Sequence, residues 1–525
     1  MTETLEKGGF EAYLVGGCVR DLLLDRKPKD WDITTNAKPE QILGLFEHTF
    51  YENDYGTVGV VSDETSENVS PETLKKVSCE TSKDVSPETL KKVSDPKSLV
   101  GQSETPENVS HETLDETPKT IEITPYRLES KYSDSRHPDA VVFSDKLEDD
   151  LKRRDFTINA IAYNVSAETL TDLFQGQKDI KDKIIRTVGK PADRFNEDAL
   201  RLLRAVRLAT ELGFEIESET EKAIEKQAEN LKNISQERIR DEFVKIIMTD
   251  LPMDGLILTQ RLGLLKYILP ELEEGLEMKQ KGAHIYTVWE HNLRALQHSA
   301  DRNWSLIIRL SALLHDIGKP RTRHWHKEKK EWTFYGHDVV GEKVSYETLT
   351  RLRFPKQIIE IVSVLVRNHL FFSDIDQITM SAVRRIIHNV GPENVWDLMK
   401  VRACDRIGMG RPKENPYRLR KYKAMIEEAL KAPVSVKMLK IDGKRLMEVS
   451  HETPGPKIGW ILNALLEEVL DDPELNTVEY LEAKALKLAK LAENELKLLG
   501  EQGKEKKDAE EEKEIAIIRA KHWVK

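Results

Sequence analysis

From Val61 to Glu116 the chain repeats itself in seven octads, several opening Val-Ser-x-Glu-Thr, and this limits where anything else can fold. A period of eight matches neither the helical turn nor the two-residue alternation of a strand, so no continuous apolar face accumulates. Ser-Pro-Glu within a unit can open a helical turn. Each unit still has too few large apolar groups to offset its ordering entropy. The expected state of residues 62–119 is a disordered insertion, with a weak solenoid as the alternative. That stretch carries thirteen acids and seven lysines, with no arginine and no aromatic residue. Its flanks, YGTVGVV (55–61) and TIEITPYR (120–127), read as strands, which makes the repeat an enlarged hairpin loop. The same five-residue word recurs at Val165, Val344 and Val449, where element ends or turns are expected.

Around the insertion, 525 residues at roughly 150 per domain allow several domains. The pattern predicts an α+β chain. Residues 1–150 alternate β-like runs with an early helix and form a head built on a mixed sheet. Residues 151–275 turn helical, as in EDALRLLRAVRLATEL, and form a neck; 276–408 are helical and rich in histidine. Residues 409–500 form a helical tail, basic at first, and 501–525 a charged extension, whose charge run at 501–514 is expected to be a frayed tail or exposed helix. Mean hydropathy is −0.53, and the chain has no run of about 18 apolar residues that would span a membrane. The N-terminus lacks the basic-then-apolar pattern of a secretory signal. Cys18, Cys79 and Cys404 are too few for a disulfide framework or a four-cysteine zinc site, so a cytoplasmic protein is expected. The net charge of −11 gives no general argument for nucleic-acid binding; a basic surface must be local.

The segment LVGGCVRDLLLDRKPKDWDITT combines two features. Gly16 and Gly17 stand between an apolar run and a helical one, a turn whose backbone N–H groups can approach a phosphate, with Arg20 one turn further on. Asp30 and Asp32 follow in a stretch read as a strand, where residues two apart share a face and both carboxylates can converge on a hard divalent cation.

Together GGCVRD and DWDITT resemble the nucleotidyltransferases of the DNA polymerase β superfamily, specifically bacterial tRNA CCA-adding enzymes and poly(A) polymerases. The resemblance continues in order through SRHPD (135–139), RRDFTINAIAYN (153–164), DLFQGQKDIKDKIIRTVG (172–189), RFNEDALRLLRAVRLATELGF (194–214) and ERIRDEF (237–243). It implies that Asp30 and Asp32 hold two Mg²⁺ ions, with Glu122 as third carboxylate, for attack of a primer 3′-hydroxyl on the α-phosphate of CTP or ATP. Arg153, Arg154, Asp155 and Asn159 resemble the sugar- and phosphate-reading motif, with a structural salt bridge the alternative for Arg153. Asp198 and Arg201 look like the base-reading pair. Three apart on a predicted helix, they can present one edge, Asp accepting from an exocyclic amine and Arg donating to a ring nitrogen. Cytosine and adenine share that order; guanine and uracil reverse it. Arg204 and Arg207 continue the series, but drift around the helix toward the triphosphate or structural acids.

Histidine spacing supplies a second constellation: His291, His315-Asp316, His337, His369 and Asp405. The order H…HD…H…H…D resembles the two-metal form of the HD phosphohydrolase domain. That ligand set suits Mn, Fe, Ni, Co or Mg and implies phosphoester hydrolysis. Between Arg402 and Lys423 lie eight basic residues and two acids, interleaved with Tyr417 and Tyr422, a candidate contact for the tRNA backbone or a solvated helix face. Residues 454–477 resemble the tail of family members that carry the HD domain. The expected activity is template-independent addition of CMP and AMP to tRNA. Poly(A) synthesis, CC-only or A-only addition, and an HD phosphohydrolase with an RNA-binding head are the alternatives.

Overall fold

The computed structural model describes residues 1–51, 56–62, 119–129, 141–280, 285–328, 330–371, 378–431 and 436–524. Nearly all of the octad repeat, Cys79 and SRHPD lie outside the described residues. Two compact units divide the chain: Met1–Glu273 with Leu349–Phe354, and Glu274–Thr348 with Pro355–Lys525. No helix among the described residues is long and apolar enough to cross a membrane.

The first unit holds β1 (Ala12–Val15), β2 (Asp32–Thr35), β3 (Thr49–Tyr51), β4 (Val58–Ser62) and β5 (Lys119–Pro125). A two-stranded hairpin, β6 (Arg127–Glu129) and β7 (Val141–Phe143), precedes β8 (Ile161–Asn164) and β9 (Thr169–Asp172). Seven of these form one mixed sheet in the order β3-β4-β5-β2-β1-β8-β9, in which β2 and β5 run parallel. The apolar runs AYLV and IAYN become central strands because both their faces are covered. The Gly17–Leu23 helix buries Cys18, Val19 and Leu22. β4 and β5 pair antiparallel from Val58↔Ile123 to Ser62↔Lys119, so the two flanks of the repeat are sheet neighbours, as their patterning predicts.

The neck is organised by the Leu200–Leu212 helix, which buries Leu202, Leu203, Ala205, Val206 and Leu208 and packs against the Gln236–Ile247 helix. The second unit is helical apart from a hairpin, His324–His326 with Glu331–Thr333. One of its cores gathers Leu365, Val395, Leu398 and Tyr422, and a tail core gathers Ile461, Leu465 and Leu481.

Three sequence readings are resolved here. Of the two states expected of the charge run, the exposed helix is realised and the frayed tail is not: residues 501–521 belong to one 29-residue helix, Glu493–Lys521, that packs on the Pro456–Asp471 helix. A Cβ on Gly500 would lie 2.6 Å from the Cα of Trp460, and one on Gly503 2.2 Å from the carbonyl of Asn463. Two glycines three apart thus make a contact strip inside a charged run, which a charge count cannot reveal. The end of the helix is tied down by Lys431–Glu514, Arg519–Glu428 and Lys521–Glu427 ion pairs of 2.8–3.0 Å. Tyr422 is fully buried and stacked on Phe371, leaving Tyr417 as the exposed aromatic of the basic segment. Val344 lies inside the His337–Arg351 helix and is buried, so the repeated five-residue word takes its conformation from context.

Candidate functional site

The head site is built where β1 ends. Gly16 has φ +83°, a left-handed conformation that turns the chain from β1 into the Gly17–Leu23 helix. A Cβ there would sit 3.2 Å from both Asp32 Oδ2 and Arg154 Nη1, so the turn is a close approach of backbone to these two charged groups. β2 begins at Asp32, and Asp30 stands in the preceding bend, so the strand reading of the DWD segment holds for its last residue alone. Asp32 is the register partner of Glu122 on the adjacent parallel strand, which puts both side chains on one face. Burial pushes the Asp32 carboxyl up; Arg154 and Arg204 oppose the rise and Asp30 adds to it. Among the described residues Asp30, Asp32 and Glu122 do not form a group with ligand atoms within 4.8 Å of one another, as the HD residues do; their chemistry, one carboxylate repelled by its neighbour and a third in register, is that of a hard-cation donor set.

Side-chain networks brace this site. Arg20 donates to Asp21 at 2.7 and 2.9 Å and to Asn159 Oδ1 at 2.8 Å; Asn159 donates to Asp155 at 3.2 Å; Asp155 accepts two bonds from Arg204 at 2.6 and 2.8 Å. Burial pushes the Asp155 carboxyl up, but Arg204 and Arg201 outweigh it and hold the group well below the usual carboxylate range. Asp150, absent from the sequence-derived set, is buried and accepts from both Arg153 and Arg154. The structural alternative for Arg153 is therefore realised. The signal was available: Asp150 lies three and four residues before the two arginines.

Asp198 and Arg201 do not share one helix. Asp198 closes the Pro191–Glu197 helix in an extended conformation, and its carboxylate caps the next one by accepting from the Leu200 N–H at 3.0 Å. Arg238, quoted within ERIRDEF but given no role, holds the Asp198 carboxylate by bonds of 2.7 and 3.3 Å. Arg201 donates to Glu197 at 2.5 Å and to the carbonyls of Arg194 and Arg153. The two residues therefore do not form a salt bridge with each other. Arg204 is engaged by Asp155, and Arg207 by Glu242 and Glu211 at 2.7 and 3.0 Å.

The second unit brings all six predicted ligands together. His291, His315, Asp316, His337, His369 and Asp405 are each at most 8% exposed. Among the described residues, His291, His315 and Asp405 form one group with ligand atoms within 4.8 Å, and Asp316, His337 and His369 another. The Nε2 atoms of His291 and His315 are 2.8 Å apart, and Asp316 oxygens lie 3.0 Å from His291 Nε2 and 3.2 Å from His337 Nε2. His315, His337 and His369 each direct Nδ1 to the backbone carbonyl three residues earlier, at 2.6–2.8 Å. For His337 and His369 those bonds occupy the Nδ1 proton and leave Nε2 to coordinate. Nε2 of His337 and of His369 are buried without hydrogen-bond partners. Lone pairs facing carboxylates in a closed space fit divalent metal ions.

Lys319, unassigned in the sequence, forms an ion pair with Asp316, as Arg402 does with Asp405. Burial pushes the Asp316 carboxyl up, but Lys319 and His315 hold it well below the usual range; Arg402 and the two histidines do the same for Asp405. Arg402 is thus withdrawn from the basic segment. Arg411, Lys413 and Arg418 remain exposed there.

Comparison with known proteins agrees with this arrangement. The profile of the poly A polymerase head domain matches residues 12–94 and 81–186, two pieces that meet inside the repeat. The profile described as the probable RNA and SrmB-binding site of polymerase A matches 213–276, and the HD domain matches 288–407. The chain is 32% identical over 472 residues to a CCA-adding enzyme of Lactobacillus delbrueckii subsp. bulgaricus, covering 89% of this chain and 91% of the relative. It is 35% identical over 340 residues to an A-adding tRNA nucleotidyltransferase of Deinococcus radiodurans, covering 63% of this chain and 76% of the relative. The crystal structure of the Bacillus stearothermophilus CCA-adding enzyme in complex with CTP is similar with a TM-score of 0.55 and 25% identity, over 93% of this chain and 95% of that one. By descent and by fold, this chain belongs to the bacterial family of CCA-adding tRNA nucleotidyltransferases that carry an HD domain.

Proposed function

We propose that the chain adds CMP and AMP, from CTP and ATP, to the 3′ end of tRNA without a nucleic-acid template, and that it does so in the cytoplasm, where these substrates are. The register pairing of Asp32 with Glu122, beside the Gly16 turn and Arg154, supports this reading most directly. The RNA 3′-oxygen attacks the α-phosphorus in line. The bond from that phosphorus to its bridging oxygen breaks, pyrophosphate departs, and the hydroxyl proton is lost. Mg²⁺, when held by Asp30, Asp32 and Glu122, favours the ionised 3′-hydroxyl and offsets the charge of the triphosphate.

The remaining residues orient the nucleotide. Gly16, Gly17 and Arg20 face the triphosphate, and Arg154 its sugar and phosphates, with Asp155 and Asn159 as braces. Asp198 and Arg201 read the base. A carboxylate has about four acceptor sites, so Asp198 can accept from an exocyclic amine while retaining Arg238. Arg201 has more donors than the three bonds it makes. Arg204 and Arg207 act as braces through Asp155 and Glu242. The exposed Arg411, Lys413 and Arg418 contact the tRNA backbone.

The buried cluster of the HD domain hydrolyses a phosphoester with two divalent ions, of Mn, Fe, Ni, Co or Mg. His291, His315 and Asp405 would hold one and Asp316, His337 and His369 the other. The closed set of six ligands supports this second activity.

The test is incubation with tRNA ending before CCA, each nucleotide supplied alone and together, followed by sequencing of the product ends. Addition of two C and one A is expected. The likeness to an A-adding enzyme makes transfer of AMP alone, to tRNA ending in CC, the competing result. Long A tracts without use of CTP would mark a poly(A) polymerase.

A further inference from the structure

Where the Glu493–Lys521 helix ends beside the Tyr417–Leu430 helix, a cavity of about 380 Å³ opens, within the range of about 300–1,000 Å³ usual for small-molecule sites. The long helix closes in a Schellman turn: the Val524 N–H donates to the Arg519 carbonyl and the Trp523 N–H to the Ala520 carbonyl, both at 2.9 Å. The residue at such a turn is left-handed, which is why glycine usually holds it. Here it is Trp523, at φ +54°. Packing explains its neighbour, since Val524 is buried with Ala424 and Ile518. It does not explain Trp523, which is 79% exposed and borders the cavity. Strained backbone of this kind gathers at ligand clamps.

The charge around the cavity is unbalanced. No carboxylate is among its described lining residues. Lys400 pairs with Asp397 at 2.9 Å, and Lys521 and His522 both pair with Glu427. Arg420 and Lys423, three apart on one helix, have no ion-pair partner among the described residues. Arg420 donates from Nη1 to the carbonyls of His522 and Trp523 at 3.4 and 3.1 Å, which anchors the strained turn and leaves its other donors. Lys423 donates to Asn415 Oδ1 at 2.6 Å, and burial pushes its ammonium down. Glu414, the acid whose charge reaches Lys423, is paired with Arg302. Two cations without acids match the two charges of a phosphate monoester. Trp396 and Trp523 add flat faces to the same lining. Among the described residues the two indoles make no ring contact with each other, so the cavity they share is open to a third flat ring.

We propose that this cavity is a binding site for a nucleoside monophosphate, with its base stacked on Trp523 and its phosphate between Arg420 and Lys423. The site shares no residue with the head carboxylates or the HD ligands, and its recognition needs no metal. Every nucleobase has a stackable face, so the site accepts any of the four.

Equilibrium dialysis of the full-length protein tests this with guanosine 5′-phosphorothioate, a slowly hydrolysed probe whose base the head is proposed to reject. Guanosine and thiophosphate supply each half alone. The whole probe should bind about ten-fold more tightly than thiophosphate, the order of one base–aromatic stack. Trp523→Gly suits the left-handed backbone and keeps the helix end. It should remove that preference without changing thiophosphate binding, and Trp523→Tyr should restore it. Lys423→Gln should weaken the probe and thiophosphate alike and leave guanosine unchanged. These differences should be equal in Mg²⁺ and in EDTA, and a difference that vanishes in EDTA refutes the metal-free site. Unchanged probe binding in Trp523→Gly or in Lys423→Gln overturns the assignment. Equal wild-type affinity for thiophosphate and the whole probe overturns the base half and leaves a bare anion site. If the variants bind the probe as the wild type does but bind tRNA more weakly, the cavity is an RNA contact and the nucleotide assignment falls.

Discussion

Asp198 and Arg201 are held in part by the long side chains of Arg238 and Glu197, whereas the Nδ1 atoms of His315, His337 and His369 each meet a backbone carbonyl. The difference separates a site that must share its partners from one that needs only to be filled. Arg238 and Glu197 can move with their long side chains, which would let the proposed base-reading pair admit two different bases. The carbonyls of Ala312 and Val366 lie within helices and cannot move without unwinding them, so the imidazoles of His315 and His369 keep one orientation. Selectivity suits the first arrangement and tight metal retention the second.

Several substitutions would break this contrast. The largest effect is expected from Asp32→Ala, which should lower nucleotide addition by ~10³-fold, since charge stabilisation at the transferring phosphate is lost. The variant should keep its fold by circular dichroism, and near-wild-type transfer would refute the head assignment. Asp316→Ala comes next. It leaves the Lys319 ammonium, which is 5% exposed, with only the neutral Gln280 side chain as partner, and breaking a buried pair typically costs ~3–5 kcal/mol. Calorimetry should show the second unit melting earlier, with metal content and phosphoesterase activity lost while nucleotide addition continues.

Arg238→Ala sharpens the comparison. It leaves Asp198 capping the helix but removes its other anchor, a loss of ~1–3 kcal/mol. Misincorporation of U and G should rise together, measured as ratios of kcat/KM; unchanged ratios would make Arg238 a purely structural partner. Asp155→Asn tests the brace through pH. The native carboxyl is held below its ordinary value of 3.8, so its contribution is complete above that value and is lost as pH falls toward the native one. Urea unfolding should therefore show the wild type ahead by ~1–3 kcal/mol at pH 7, with the gap closing below about pH 4. The smallest effect is expected from replacing residues 63–118 with a two-residue turn. Loop length changes closure by only ~0.6 kcal/mol per doubling, so most tRNA-tailing activity should survive. A folded deletion that binds nucleotide but fails to extend tRNA would give the repeat a role.

Legibility followed the kind of information each feature needs. The six residues that gather in the HD domain could be read because residue type and order alone define that set. The β4–β5 pairing was legible from two strand-like flanks, whatever lies between them. Asp150, Arg238 and Lys319 were not, since each matters through a neighbour in space, and a charged residue on a helix looks alike whether paired or solvated. The break at Asp198 was hidden for a related reason. EDALR scores as helix throughout, and only the carboxylate capping the Leu200 N–H ends one helix and starts the next.

The rung that joins Ser62 to Lys119 also bears on how this gene can change. An octad is encoded by whole codons, so slippage during replication can add or delete a unit without shifting the reading frame. The strand that follows takes its alignment from β4, not from the length of chain between them, and Glu122 keeps its place beside Asp32 after each such event. A change in copy number at this locus therefore leaves the pairing of the two strands, and with it the carboxylate site, where it was.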